Sequence, residues 1–295
     1  MAAAAWITAA MVTAAETQIS IPNASFETPV TTFVNTNVDS WQKVEQPTWY
    51  DDAEFLWSQL IGTFLNPAPG AGNRIDNCHG LQAVWLFAVP EVEMFQDYET
   101  MDWNDTVPSH AFNATFEVGK SYTLTVGVIG GGGGMQDGVS LRLSLYYRDA
   151  GGNLVDVSNT EVVRSLEAFP STNHLEDCTV HVPVVQPGDA WAGKKIGVRC
   201  VSTVSFELQG GYWDLDNFRL KSEIPLPRVE QTLAGTNVQV SWISATGASY
   251  LLQTSGDLRT WTPFGTAAAG TGAVMGRLVP RGSANEKFFR VKVTQ

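Results

Sequence analysis

Basic residues, histidine and cysteine are scarce in this chain, and each shortage removes a class of function. Lys and Arg total 18 against 30 Asp and Glu, a formal charge of −12 over 295 residues. Such a surface repels phosphate backbones and anionic lipid headgroups, which excludes nucleic acid as a partner. The four histidines, His79, His110, His174 and His181, are scattered. Cys178 and His181 stand three apart, a spacing that on a strand sends the side chains to opposite faces and forbids a shared metal. Three cysteines, Cys78, Cys178 and Cys200, permit one disulfide and leave one thiol, with the pairing open.

Catalytic signatures are missing too. HExxH, GxSxG and Walker patterns do not occur. The glycine run at 130–134 departs from GxGxxG because Met135 takes the last glycine's place and a strand pattern follows, so it reads as a flexible connection between strands. Long apolar runs are confined to the start. Residues 1–17, MAAAAWITAAMVTAAET, are too short to span a bilayer and have no polar face. They resemble the second half of an export signal with cleavage near Ala14 and Ala15, without the basic start. The expectation is a bacterial protein that is secreted or displayed at the cell surface, with no membrane span.

What the chain has is period-two alternation and enough apolar matter, 44% of residues, to build a core. Tyr122, Leu124, Val126 and Val128 share one strand face, as do Val139, Leu141, Leu143, Leu145 and Tyr147. Further alternating runs cover 178–184 and 196–204, with turn residues Gln186, Pro187, Gly188 and Asp189 between them. Helical periodicity is weak, its best stretch being 52–64, followed by 160–168. Trp85, between Val84 and Leu86, reads as core.

Charge divides the chain at the proline-bearing stretch around Pro225 and Pro227. From residue 224 on, seven basic residues stand against three acidic ones, giving +4 there and −16 over 1–223. A change of sign at a linker is expected between independent units. The organisation predicted is an export segment over 1–17, a β-sandwich over 18–223 and a small β domain over 224–295. The last unit, with strands around 238–242, 250–254 and 288–293, has a fibronectin-like or immunoglobulin-like outline.

Three features in the expected order resemble the galactose-binding-like jelly roll of carbohydrate-binding modules. Residues 21–27, IPNASFE, resemble that family's first strand, 116–124, FEVGKSYTL, its central strand, and 213–220, WDLDNFRL, its closing strand. The C-terminal VSW at 240–242, YLLQTSGDLRTW at 250–261 and FFRVKV at 288–293 resemble a module appended to exported planctomycete-type and verrucomicrobial-type proteins. The resemblance implies an all-β jelly-roll sandwich followed by a small β module. It also implies a structural calcium where first and last strands meet, at Glu27 and Asp216 with Asn23 and Asn217 as helpers. Six to eight oxygens are needed for that ion, of which two carboxylates supply only part.

Sugar modules stack pyranose faces on exposed rings and fix hydroxyls with acids and amides. The pairing of rings with acids at Trp49, Tyr50, Asp51, Asp52 and Trp57, and again at Trp103, marks the candidate binding residues, each weighed against plain packing. Three readings stay open. The first is a non-catalytic exported module for an extracellular carbohydrate. The second is a self-assembling surface or appendage protein built through sheet edges. The third is a polysaccharide-active hydrolase or lyase using carboxylates of the acid-rich loops.

Overall fold

A computed structural model describes residues 16–101, 105–282 and 287–294. The expected export segment up to residue 15, and Trp103, lie outside the described residues.

Alternation of apolar and polar side chains makes strands here, and twelve of them build the first unit. In chain order they are β1 (Glu16–Ile19), β2 (Val34–Asn35), β3 (Gln42–Lys43), β4 (Ile61–Leu65), β5 (Gln82–Phe87) and β6 (Glu93–Gln96). There follow β7 (Ser121–Gly132), β8 (Ser140–Arg148), β9 (Leu154–Val163), β10 (Glu176–Val182), β11 (Gly197–Ser202) and β12 (Tyr212–Glu223). One sheet has the order β10-β7-β12-β5-β4-β2, with β1 also on β12, and the other runs β3-β6-β11-β8-β9. Every pairing is antiparallel. The sheets close over a single core that draws Leu124, Val126 and Val128 from β7 and Leu141, Leu143 and Leu145 from β8. All six are fully buried, as a strand's core-facing period requires.

Phe26, Trp41 and Phe218 meet at one end of that core, with ring centroids 5.5 Å apart for Phe26 and Phe218 and 4.9 Å for Trp41 and Phe218. Edge-to-face geometry of this kind adds about 1 kcal/mol per pair beyond area burial. The Phe218 N–H also donates to the Ala24 carbonyl at 3.0 Å. Start and end of the sandwich are therefore neighbours, although residues 21–27 form turns rather than the expected first strand. That strand is β1, whose partners on β12 run from Leu220 to Glu223.

The weak helical stretch at 52–64 resolves into one short 3-10 turn, Trp57–Gln59, and then β4. The stretch at 160–168 begins inside β9. Gly130 and Gly132 belong to β7 rather than to a loose connection, with a register shift between them opposite Tyr212 and Trp213. Cys78, Cys178 and Cys200 are all free thiols.

Beyond residue 223 come β13 (Glu230–Ala234), β14 (Asn237–Ile243), β15 (Ser249–Ser255), β16 (Thr262–Pro263), β17 (Ala268–Ala269), β18 (Val274–Pro280) and β19 (Phe288–Thr294). They form two small sheets, β13-β14-β18 and a second in which β15 pairs with β16, β17 and β19. Val240, Trp242 and Val279 from one sheet meet Tyr250, Leu252 and Val291 from the other in a separate core.

Candidate active site

The outward face of the larger sheet carries an arrangement that the alternation rule turns away from the core. On β12, Trp213 and Leu215 are fully buried between the sheets, so Tyr212, Asp214 and Asp216 face out. Register places Asp214 directly opposite Trp85 of β5 and Ile129 of β7, and Tyr212 opposite Phe87. Directly opposed side chains on one face have Cβ atoms about 5 Å apart. Asp214 thus stands on a floor of Trp85, Phe87, Tyr212 and Ile129.

Half of that floor is covered and half is open. Ile129 and Ala83 lie beneath Ile75 and Leu175, which pack on them as a small second core with Phe64 and Cys78. Trp85, Phe87 and Tyr212 remain half-buried, and Phe55 is 47% exposed. Ring centroids are 5.5 Å apart from Phe55 to Phe87 and 5.8 Å from Phe87 to Tyr212, both pairs tilted. The indole N–H of Trp85 donates to the Gln59 carbonyl at 3.0 Å, which fixes its ring in the plane of the floor.

Asp214 is half-buried, and its carboxyl takes no hydrogen bond or ion pair from the described residues. Burial alone pushes its pKa from 3.8 up to about 7. The same charge, after burial, helps raise the Tyr212 phenol. Asp216, two residues on, is fully buried yet pushed only to about 6. The difference is hydrogen bonding: Asp216 accepts the backbone N–H of His79 and of Asn217, both at 2.6 Å. Donors of this kind favour the ionised form and offset part of the desolvation. Asp214 has no such support. It therefore holds a proton near neutral pH while staying reachable from solvent, which is the condition for a general acid.

The rings and acids expected from sequence are placed beside this face rather than on it. Trp49, Tyr50 and Trp57 pack edge to face on one another, with centroids 4.9 to 6.2 Å apart, and Trp49 also meets Phe206 at 4.9 Å. Trp57 is buried and donates its ring N–H to the Val44 carbonyl. Asp52 accepts the Trp57 backbone N–H at 2.9 Å, and Asp51 is exposed. Tyr50 donates its hydroxyl to the Phe55 carbonyl at 2.9 Å, so this cluster supports the segment from which Phe55 reaches the open rings.

Glu27 and Asp216 both border the turn at 78–82. Glu27 accepts the backbone N–H groups of Leu81 and Gln82, each at 2.9 Å. The Asn23 amide is engaged with Thr28 and with the Asp39 carbonyl, and Asn217 follows Asp216 at φ 55°. Among the described residues no group of three or more His, Cys, Asp or Glu side chains is placed to hold a metal ion.

Fold and face together define a jelly-roll protein whose larger sheet turns outward a half-buried carboxyl among aromatic rings. The chain belongs to the HpiC1-like family, whose HpiC1 cyclase pattern matches residues 17–221. Among solved structures it is similar to a cyclase from Fischerella sp. TAU, at 18% identity and a TM-score of 0.52 over 71% of this chain and 98% of that one. A Stig cyclase from the same organism, in complex with (3Z)-3-(1-methyl-2-pyrrolidinylidene)-3H-indole, matches at 18% identity and a TM-score of 0.50 over the same shares. No curated protein matches the chain. A galactotriose-bound module, TmCBM61, is 15% identical with a TM-score of 0.34 over 68% of this chain and 95% of that one, too low to bear on ligand.

These findings correct the functional expectation. The jelly-roll sandwich is as expected, but the reading of a non-catalytic carbohydrate-binding module is overturned by membership of a cyclase family. The polysaccharide-active alternative falls with it. The misreading has a physical origin. Trp85 and Asp214 sit inside alternating runs, where a ring next to Val84 and an acid between Trp213 and Leu215 look like ordinary strand residues.

Proposed function

We propose that the chain is a cyclase in which Asp214 is the general acid for an unsaturated, aromatic small molecule lying over Trp85, Phe87 and Tyr212. One observation carries the reading: a half-buried carboxyl with no partner among the described residues, its pKa pushed by burial up to about 7, on an aromatic face. A neutral carboxyl hands its proton to a basic or π-bonded atom of the ligand. The cation so formed is attacked by a second π bond of the same molecule, which closes the ring. Loss of a proton from the cyclised skeleton to the Asp214 carboxylate restores the acid, so the reaction is an isomerisation and atoms balance. Ring faces around the cation each contribute about 1 kcal/mol, more where water is excluded. The indole held by the Fischerella sp. TAU protein is a ligand of this flat, apolar kind, which supports the choice of an indole-bearing substrate.

The test is turnover of indoles that carry an unsaturated side chain. Asp214→Asn keeps shape and loses the proton, and the expected loss is about 100-fold or more. Turnover in that variant equal to the parent protein excludes the reading.

We also propose calcium between Glu27 and Asp216, the two carboxylates that border residues 78–82, with Asn23 and Asn217 as helpers. Its part is structural, and no step of the chemistry runs through it. Adding calcium to chelator-treated protein is expected to raise the melting temperature, and Glu27→Gln to abolish the rise. A melting temperature indifferent to calcium rules the site out.

A further inference from the structure

Two glycines on the outward face have no conformational reason to be glycine, since neither Gly62 nor Gly132 has a positive φ. Both have a steric one. A Cβ on Gly62 would lie under 3.0 Å from the Trp85 ring and 2.6 Å from the Asn35 carbonyl oxygen, and one on Gly132 would lie under 3.0 Å from the Tyr212 ring. Real side chains do not approach so closely, so each ring lies where a neighbouring residue's side chain would be. Gly62 is the β4 neighbour of Trp85, and Gly132 is the β7 neighbour of Tyr212. Trp85 therefore leans from β5 towards β4, while Tyr212 leans from β12 towards β7. The order β7-β12-β5-β4 makes these opposite directions.

The consequence concerns Asp214, which is level with Trp85 and next but one to Tyr212 along β12. The rings thus lie to either side of the strip above the β12–β5 pair, on which Asp214 and Phe87 stand. Gly133 extends the bed for Tyr212, its own Cβ position being 3.2 Å from that ring. On the Trp85 side the hydrogen bond to the Gln59 carbonyl holds the ring down.

We infer that Gly62 and Gly132 are positioning residues that hold Trp85 and Tyr212 flat against β4 and β7, and so set the width of the slot through which a ligand reaches Asp214. This rests on the reading of Asp214 as the reactive carboxyl, and it adds what determines which molecules reach it. A methyl group at either glycine forces its ring upright over the strip, narrowing the slot without touching the carboxyl. Neither glycine contacts the reacting atoms.

The experiment uses the full chain and two readouts. The first is the rate at which a water-soluble carbodiimide and a small amine label Asp214, located by peptide mass. The second is affinity for (3Z)-3-(1-methyl-2-pyrrolidinylidene)-3H-indole, followed by tryptophan fluorescence. Gly62→Ala and Gly132→Ala are expected to slow labelling and weaken binding by about tenfold or more, because a ring displaced by an ångström blocks the approach. The double variants Gly62→Ala/Trp85→Ala and Gly132→Ala/Tyr212→Ala are expected to recover labelling, since the obstructing ring is gone. Labelling at the parental rate in both single variants overturns the inference. If the glycine variants fail to fold, Trp85→Ala and Tyr212→Ala alone decide it. Rings that already lie aside screen nothing, so labelling changes less than about twofold, whereas a tenfold rise shows that they covered the carboxyl and overturns the proposal. Failure of the reading of Asp214 as the acid looks different: Asp214→Asn then turns over as the parent does, while the glycine variants still slow labelling.

Discussion

Asp214 and Asp216 are the same residue type, on the same strand face, two positions apart, and their environments give them different work. Asp216 is sealed and fed by two backbone N–H groups, and it helps fix the turn at 78–82. Asp214 is left to burial alone. A carboxyl raised in this way weakens the fold as pH rises. Between pH 3.8 and about 7 the unfolded chain has released the proton while the folded chain keeps it, so the folded state binds more protons and stability falls with pH. Asp214→Asn removes that term. The variant should match the parent near pH 4 and be more stable at pH 8.5 by an amount on the order of 4 kcal/mol at most, at about 1.4 kcal/mol per pKa unit. Urea melts of parent and variant at the two pH values measure it, and a variant that equals the parent at both pH values contradicts the raised pKa. Activity is expected to run the other way for the parent, falling above pH 7 as the acid form is lost. A gain in stability together with a loss of turnover is the mark of a residue kept for chemistry rather than for folding.

At the scale of elements, the sheet explains what could be read beforehand and what could not. The strands around Tyr122, Leu141, Val180 and Val198 were legible because each buries one face, and a period of two then repeats over five or more residues. β12 was placed by the resemblance of 213–220 to a closing strand, since its alternation shifts phase between Asp216 and Arg219. β4 was hidden, because Gly62 and Thr63 break the alternation and Phe64 packs under the loop bearing Ile75. Asp214 stands between the buried Trp213 and Leu215, a setting that by itself gives an acid no distinguishing mark. What sets it apart is the two flanking strands and the rings they bring, Trp85 from β5 and the bed of Gly132 on β7, which lie 129 and 82 positions away in sequence from Asp214. The signal that could have found it was the glycine run at 130–134, read as a loose connection. A run of small residues inside a strand marks close approach of a ring or a ligand as readily as it marks a loop.

The whole molecule is two units of opposite charge, −16 over residues 1–223 and +4 beyond. Their cores are separate, and the first is complete at Glu223, where β12 pairs with Glu16 of β1 and Ser121 of β7. Contacts between the units centre on one turn. Thr246 donates to Glu117 at 2.9 Å, and Gly119 lies against the backbone of Ser244 and Ala245, with a Cβ position only 2.6 Å from the Ala245 nitrogen. Gly119 also has φ 86°, so the approach and the turn ask for glycine together. This joint lies beyond the end of β7 that begins at Ser121, while the reactive face is at its other end, near Gly132. A chain ending at Glu223 is therefore expected to fold, to keep the raised pKa of Asp214 in its pH profile, and to bind the indole probe within about twofold of the full chain, since no hot-spot ring is lost. Its melting temperature should fall by a few degrees, as expected for loss of a small polar joint worth about 1 kcal/mol. Fluorescence titration and a thermal melt of the shortened chain decide the matter. Loss of probe binding in a chain that still melts cooperatively would mean that the C-terminal unit shapes the aromatic face, and the division of labour drawn from the two cores would have to be given up.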